Sequence, residues 1–171
     1  MASIKVGDLI PQGTFTYIPY SPELESNHLA CGNPIKLSTD EWKGKKVVIF
    51  SVPGAFTPTC HAKHLPGYLE KYDELKAKGV DVIAVVSAND PFVLSGWARF
   101  EGVKDKILAL SDTYAQWSKS LGLSVDLTER GLGIRTARYA IILDDLKVTY
   151  VELETAPGVT VSGADAVLAN L

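Results

Sequence analysis

The chain has two cysteines, Cys31 and Cys60, and they stand in different surroundings. Cys60 closes the run Val52-Pro53-Gly54-Ala55-Phe56-Thr57-Pro58-Thr59-Cys60, after an apolar stretch and ahead of a helical pattern. Thr57-Pro58 reads as an N-cap followed by proline at the first helical position, which puts Cys60 in the first turn. Backbone N–H groups there lack intrahelical acceptors, and the helix dipole adds partial positive charge. Helix N-termini with nearby cations are where thiolates are stabilised over thiols. A free thiol of pKa ~8.5 is only a few per cent ionised at neutral pH, and each unit of lowering is worth ~1.4 kcal/mol. The chemistry implied is nucleophilic attack by sulfur.

Three further residues complete a candidate constellation. Thr57, three positions before Cys60, lies on the same side of the turn, so its hydroxyl is expected to bond both the sulfur and a bound substrate oxygen. Pro53 sits on the bend after a strand and is expected to shield the sulfur from bulk water. A fixed cation is also needed. Arg138 is the first choice because it opens a strand, and strand ends meet at one site in an α/β fold; Arg99, Arg130 and Arg135 compete with it.

Each residue also has a plainer reading. Cys60 can be a small buried hydrophobe, Thr57 only a helix cap, Arg138 a surface ion-pair residue and Cys31 an unreactive loop thiol. Cys60 and His64, four apart, could join Cys31 around zinc, but two clean ligand pairs are missing. His64 is expected instead to pack near the site and bond the backbone. A Cys–His hydrolase needs an oriented third group, and none is evident. A phosphatase loop needs arginine six residues after the cysteine, where this chain has Pro66. Gly131-Leu132-Gly133 follows no βαβ strand and is weak as a nucleotide loop.

Around the motif, strands and helices alternate. A short strand is expected at Thr14–Ile18, within a first 40 residues that read as hairpins and loops. Buried strands are expected at Lys46–Ser51, Asp81–Ser87 and Ile107–Leu110. The helix carrying Cys60 runs to about Lys78, ends at Gly79 and is expected to kink at Pro66-Gly67. Asp90-Pro91 opens a helix to about Phe100. Thr113–Leu121 reads as a helix stopped by Gly122. Tyr139–Leu143 and Lys147–Leu153 flank the turn Asp144-Asp145-Leu146, and Ser162 is expected to cap a closing helix to about Asn170. This order predicts one domain over residues 1–171. Its fold class is α/β, a thioredoxin-like fold with a mixed central sheet flanked by helices and an N-terminal hairpin extension.

Composition narrows the function. The chain is 171 residues long, with net charge −3 and 46% hydrophobic residues, enough for a substantial core. No basic cluster suggests a nucleic-acid partner, and no apolar stretch is long enough for membrane insertion. Two cysteines and no signal-peptide pattern favour a reducing, cytoplasmic setting, where a thiol pair is more often catalytic or metal-binding than structural. The tail Ala169-Asn170-Leu171 is a weak version of a peroxisomal tripeptide, so a peroxisomal pool is also expected.

Pro53, Thr57 and Cys60 match the Pro-x-x-x-Thr-x-x-Cys motif of peroxiredoxins, and Pro-Gly-Ala-Phe-Thr-Pro-Thr-Cys resembles their type II subfamily. The likeness spans nearly the whole chain, including His64-Leu65-Pro66-Gly67-Tyr68, Asn89-Asp90-Pro91-Phe92-Val93, Trp97 and Arg138-Tyr139-Ala140. The Cys31 region and the tail resemble the fungal alkyl hydroperoxide reductase branch. The resemblance implies a thiol peroxidase acting on hydrogen peroxide and alkyl hydroperoxides, with Cys60 peroxidatic, Cys31 resolving, and neither metal nor organic cofactor. It implies a homodimer, a disulfide from Cys31 of one subunit to Cys60 of the other, and thioredoxin as reductant. Sequence separation alone leaves the pairing within or between chains open. Two rivals stand beside this reading. One is a one-cysteine peroxidase recycled by glutathione or glutaredoxin; the other is a peroxide-sensing relay that passes its disulfide to a partner.

Overall fold

The computed structural model describes residues 3–171. In chain order, β1 (Thr14–Tyr17) is followed by α1 (Pro22–Ser26), β2 (Ile35–Ser38) and β3 (Lys46–Ser51). The Cys60 segment leads into α2 (Leu65–Glu70) and α3 (Tyr72–Ala77), then β4 (Val82–Ser87), α4 (Pro91–Phe100) and β5 (Leu108–Ser111). There follow α5 (Gln116–Ser120), β6 (Ser124–Leu127), β7 (Gly133–Thr136), β8 (Tyr139–Asp144), β9 (Lys147–Leu153) and α6 (Ala164–Leu168). Seven strands form one mixed sheet in the order β2-β1-β5-β4-β3-β8-β9. β3 pairs parallel with β4, and β4 with β5, while β8 pairs antiparallel with β3 and β9 antiparallel with β8. The β1–β2 hairpin is the N-terminal extension, its Thr16 paired with Ser111 on β5. This is the thioredoxin-like architecture expected from the sequence.

Strand periodicity explains the two-sided core. Side chains alternate across a sheet, and a strand covered on both faces is apolar throughout. Val48 and Phe50 of β3 therefore join Cys60, Leu65, Tyr68, Trp97 and Ala140 on one face. Val47 and Ile49 join Phe15, Trp42, Trp117, Tyr139 and Ile141 on the other. Phe50 stacks on Tyr68 with ring centroids 3.8 Å apart, fixing the Cys60 helix to the centre of the sheet.

Four local expectations need correction. The chain is helical from Pro58, but Cys60–His64 forms a π-helical turn in which the Leu65 N–H bonds the Cys60 carbonyl. Pro66 accounts for it: a proline ring clashes with the carbonyl four residues back, and widening the turn relieves the clash. The helix then breaks at Lys71 (φ −91°, ψ 8°). Thr113–Ala115 is not α-helical, because Tyr114 and Ala115 are left-handed (φ 58° and 52°) and the helix starts at Gln116. Asp112 imposes this turn, its two carboxylate oxygens accepting from Trp117 N and Ser118 N at 2.9 Å each. Ser162 does not cap the closing helix. Gly163 stands at that position, and the Ser162 hydroxyl donates to Glu154. The antiparallel β6–β7 pair was not anticipated. The strands at Lys46–Ser51 and Lys147–Leu153 and the helix from Pro91 to Phe100 fall where the sequence put them.

Candidate active site

The loop between β3 and the Cys60 helix is held by side chains from elsewhere in the fold. Thr136 Oγ1 donates to Val52 O at 2.9 Å, and Arg135 Nη1 donates to Pro53 O at 3.1 Å. Asn89 Oδ1 accepts from Ala55 N at 2.9 Å. Phe56 is left-handed (φ 59°), a conformation that costs a non-glycine residue roughly 1 kcal/mol or more. Gly54 is required by space, since a Cβ there would lie 2.9 Å from Thr57 Cγ2 and 3.3 Å from Arg135 Nη1.

This loop delivers Cys60 into the core with a relative exposure of 0%, while Pro53, Thr57 and Arg138 remain half-buried above it. Arg138 Nη2 donates to Cys60 Sγ at 3.3 Å. Sheet register explains the meeting. Ser51 pairs with Tyr139, so the residue before β8 emerges at the same sheet end as the loop after β3. The competing arginines are engaged elsewhere. Arg135 holds Leu132 O and Pro53 O, Arg99 Nη1 holds Ala30 O at 2.9 Å, and Arg130 is exposed. Arg99 thus ties the loop bearing the exposed Cys31 to α4.

Thr57 differs from expectation in one respect. Its hydroxyl donates to Gly54 O at 2.7 Å, neither to the sulfur nor into the helix as a cap. Its backbone carbonyl accepts from His61 N at 2.9 Å and starts the turn. With its proton committed, the hydroxyl offers acceptor lone pairs to any incoming O–H.

His64 bonds the backbone as expected, and it also reaches Arg138. Its Nε2 lies 2.9 Å from Ser162 O, a pure acceptor, so Nε2 carries the proton. Nδ1 is then a bare acceptor for Arg138 Nη1 at 3.1 Å. Neutral imidazole satisfies both bonds at once, and protonation would turn Nδ1 against the guanidinium. Burial lowers its pKa to about 4, with Arg138 adding to the shift and the Ser162 carbonyl opposing it. Only the distant Ser162 carbonyl reveals this role; the sequence signal was a histidine four residues past the cysteine.

The depressed His64 value makes stability pH-dependent. The unfolded chain takes up a proton below about pH 6.5, the folded chain only near 4, so stability falls as pH drops through that window. At pH 5 the loss is on the order of 2 kcal/mol, at ~1.4 kcal/mol per unit. Urea unfolding of the parent and His64→Gln at pH 7 and pH 5 checks it. The variant should lose this part of the acid sensitivity; equal pH dependence in both contradicts the assignment.

On the opposite side of the turn, Trp97 Nε1 donates to His61 Nδ1 at 3.2 Å, and Glu101 contacts the same nitrogen. α4 therefore grips the Cys60 turn directly. Of the three side chains weighed as zinc ligands, Cys31 is exposed while Cys60 and His64 are buried. Among the described residues no group of three His, Cys, Asp or Glu side chains is placed to hold a metal ion.

The chain is similar to known proteins over nearly its whole length. A family model described as Redoxin matches residues 5–168. A Malassezia furfur protein named as a peroxiredoxin is 54% identical over 151 residues, covering 88% of this chain and 90% of its own length. A Lipomyces kononenkoae protein named as a peroxisomal peroxiredoxin is 51% identical over 159 residues, covering 92% and 94%. Among solved structures, reduced Prx3 from Vibrio vulnificus in complex with hydrogen peroxide superposes with a TM-score of 0.84 at 41% identity, covering 97% of this chain and 94% of that one.

Proposed function

Since the chain belongs to the peroxiredoxins, a family of antioxidant peroxidases, we propose that Cys60 is its peroxidatic nucleophile and that Arg138, Thr57 and Pro53 build the pocket in which it reacts. The observation that carries this reading is the Arg138 guanidinium on the buried Cys60 sulfur. The thiolate attacks one peroxide oxygen and the O–O bond breaks. Sulfur loses two electrons and becomes a sulfenic acid, while the second oxygen leaves as alcohol or water after taking a proton. Arg138 holds charge and donors where negative charge shifts from sulfur to oxygen, and Thr57 accepts the peroxide O–H. Pro53 helps exclude water.

Cys31 is proposed as the resolving residue. Its thiol attacks the Cys60 sulfenic sulfur, the S–O bond breaks, water leaves with the thiol proton, and a disulfide remains. Cys31 is exposed and Cys60 buried, so one of them must move before they meet. A homodimer with an intersubunit bond, recycled by thioredoxin, accommodates this and follows the family resemblance. The cytosol is the proposed location. A peroxisomal pool is also proposed, on a relative named as peroxisomal. Among the described residues no helix is long and apolar enough to cross a membrane.

The expected outcome for Cys31→Ser is an intact first oxidation, loss of the disulfide on a non-reducing gel, and loss of thioredoxin-supported turnover. Undiminished turnover would remove Cys31 from the mechanism. Running thioredoxin and glutaredoxin with glutathione in the same peroxide-consumption assay separates the two recycling routes. Fast oxidation with slow turnover under both favours the relay reading.

A further inference from the structure

Glu154 lies far along the chain from Cys60, just past β9, yet its carboxylate collects four hydrogen bonds. Oε1 accepts from Thr160 N at 2.6 Å, Ser162 N at 2.9 Å and Ser162 Oγ at 2.9 Å; Oε2 accepts from Thr160 Oγ1 at 2.7 Å. These bonds close residues 155–162 into a tied loop and fix the peptide whose carbonyl faces the site. That carbonyl, Ser162 O, receives His64 Nε2 at 2.9 Å and Tyr68 Oη at 2.7 Å. His64 Nδ1 then takes Arg138 Nη1, and the second guanidinium nitrogen reaches Cys60 Sγ. A backbone bond closes the circuit, with Glu154 N donating to Arg138 O at 2.9 Å.

We infer that Glu154 is a positioning residue for the peroxidatic centre, setting the Arg138 guanidinium on the Cys60 sulfur through Ser162 and His64. The inference rests on the proposed roles of Cys60 and Arg138. The link is stiff because each member has one arrangement available. The Ser162 carbonyl only accepts, so His64 has a single tautomer, and that tautomer leaves one lone pair for Arg138. Four charge-assisted bonds on one half-buried carboxylate give the loop little freedom. Burial opposes the charge on Glu154, but these donors hold its carboxyl below the usual range.

Charge and positioning predict opposite signs. A carboxylate acting only through its field disfavours a nearby thiolate, so removing it would speed attack on peroxide. A carboxylate acting through geometry slows attack when its bonds are lost. Glu154→Gln removes the charge and some acceptor capacity. Glu154→Asp keeps the charge but is one methylene too short to reach both Thr160 and Ser162.

The test is stopped-flow oxidation of the reduced full-length chain by hydrogen peroxide from pH 4.5 to 8.5. Positioning predicts a fall of about five- to tenfold in the second-order rate constant for both variants, with the acid limb of the pH–rate profile moved to higher pH. An unchanged or faster rate in Glu154→Gln, or an unimpaired Glu154→Asp, overturns the inference. So does lowered thermal stability with an unmoved pH profile, which marks a merely structural role. Should either variant fail to fold, Thr160→Val deletes one exposed donor to Glu154 and carries the same prediction at smaller size; no slowing there also overturns it. Cys60→Ser in the same series checks the underlying reading separately. If it still reduces peroxide, the catalytic assignment fails rather than the role of Glu154.

Discussion

Replacing Cys60 with serine is expected to abolish peroxide reduction, lowering the second-order rate constant by at least ~10⁴-fold. The reaction needs a polarisable, ionised sulfur that can give up two electrons and keep an oxygen. A serine hydroxyl is un-ionised at neutral pH and cannot form the sulfenic acid. The variant should still fold. Serine is close to isosteric, and Arg138 remains to bond its oxygen where it now bonds the sulfur at 3.3 Å. Burying a hydroxyl among Val48, Phe50 and Leu65 costs on the order of 1 kcal/mol if that bond forms poorly. Peroxide consumption under saturating reductant, beside a thermal melt, checks both halves. Residual turnover above a tenth of the parent would mean another group is the nucleophile.

The second large effect is at Arg138. Arg138→Ala is expected to slow peroxide attack by about 10²- to 10³-fold, the usual size for deleting a preorganised donor to developing charge. Arg138→Lys tests more sharply what the guanidinium does. Nη1 engages His64 Nδ1 at 3.1 Å while Nη2 engages Cys60 Sγ at 3.3 Å. A planar fork serves both at once, whereas one ammonium on a flexible stem does not. The lysine variant should retain charge yet still lose about tenfold or more. Parent-like rates for lysine would mean that positive charge alone suffices and the His64 link is dispensable. Stopped-flow oxidation of the two reduced variants measures this.

Much of this site could be read in the sequence because three of its members lie within eight residues, and the fourth stands at a strand end. Lys46 to Cys60 carries its own local logic: an apolar strand, a bend, and a Thr-Pro helix start. Arg138 was accessible because strand termini in α/β folds converge, and the Ser51–Tyr139 register brings them together here. Strands such as Val82–Ser87 announce themselves as unbroken apolar runs, and α4 by its Asp90 cap, whose carboxylate accepts from Phe92 N and Val93 N.

What the sequence hid depends on contacts across the fold. The left-handed step at Tyr114-Ala115 is imposed by Asp112, which binds the N–H groups five and six residues on. The π turn at Cys60–His64 depends on how a proline inside the helix is accommodated, which periodicity does not reveal. β6 and β7 are short, only partly buried and paired solely with each other, so neither shows a clear alternating pattern. The Thr57 hydroxyl gives its proton to Gly54 because the bend at Phe56 brings that carbonyl within 2.7 Å. His64 needed the Ser162 carbonyl, 98 residues away, before its tautomer and its hold on Arg138 could be known.

One measurement reaches the central claim most directly. The reduced chain is mixed with one equivalent of hydrogen peroxide, quenched within milliseconds with a sulfenic-acid trap, and mapped by peptide mass. The account predicts trapped label on Cys60 ahead of Cys31, forming far faster than peroxide oxidises free cysteine under the same conditions. Label appearing first on Cys31, or a rate no greater than that of free cysteine, would contradict it.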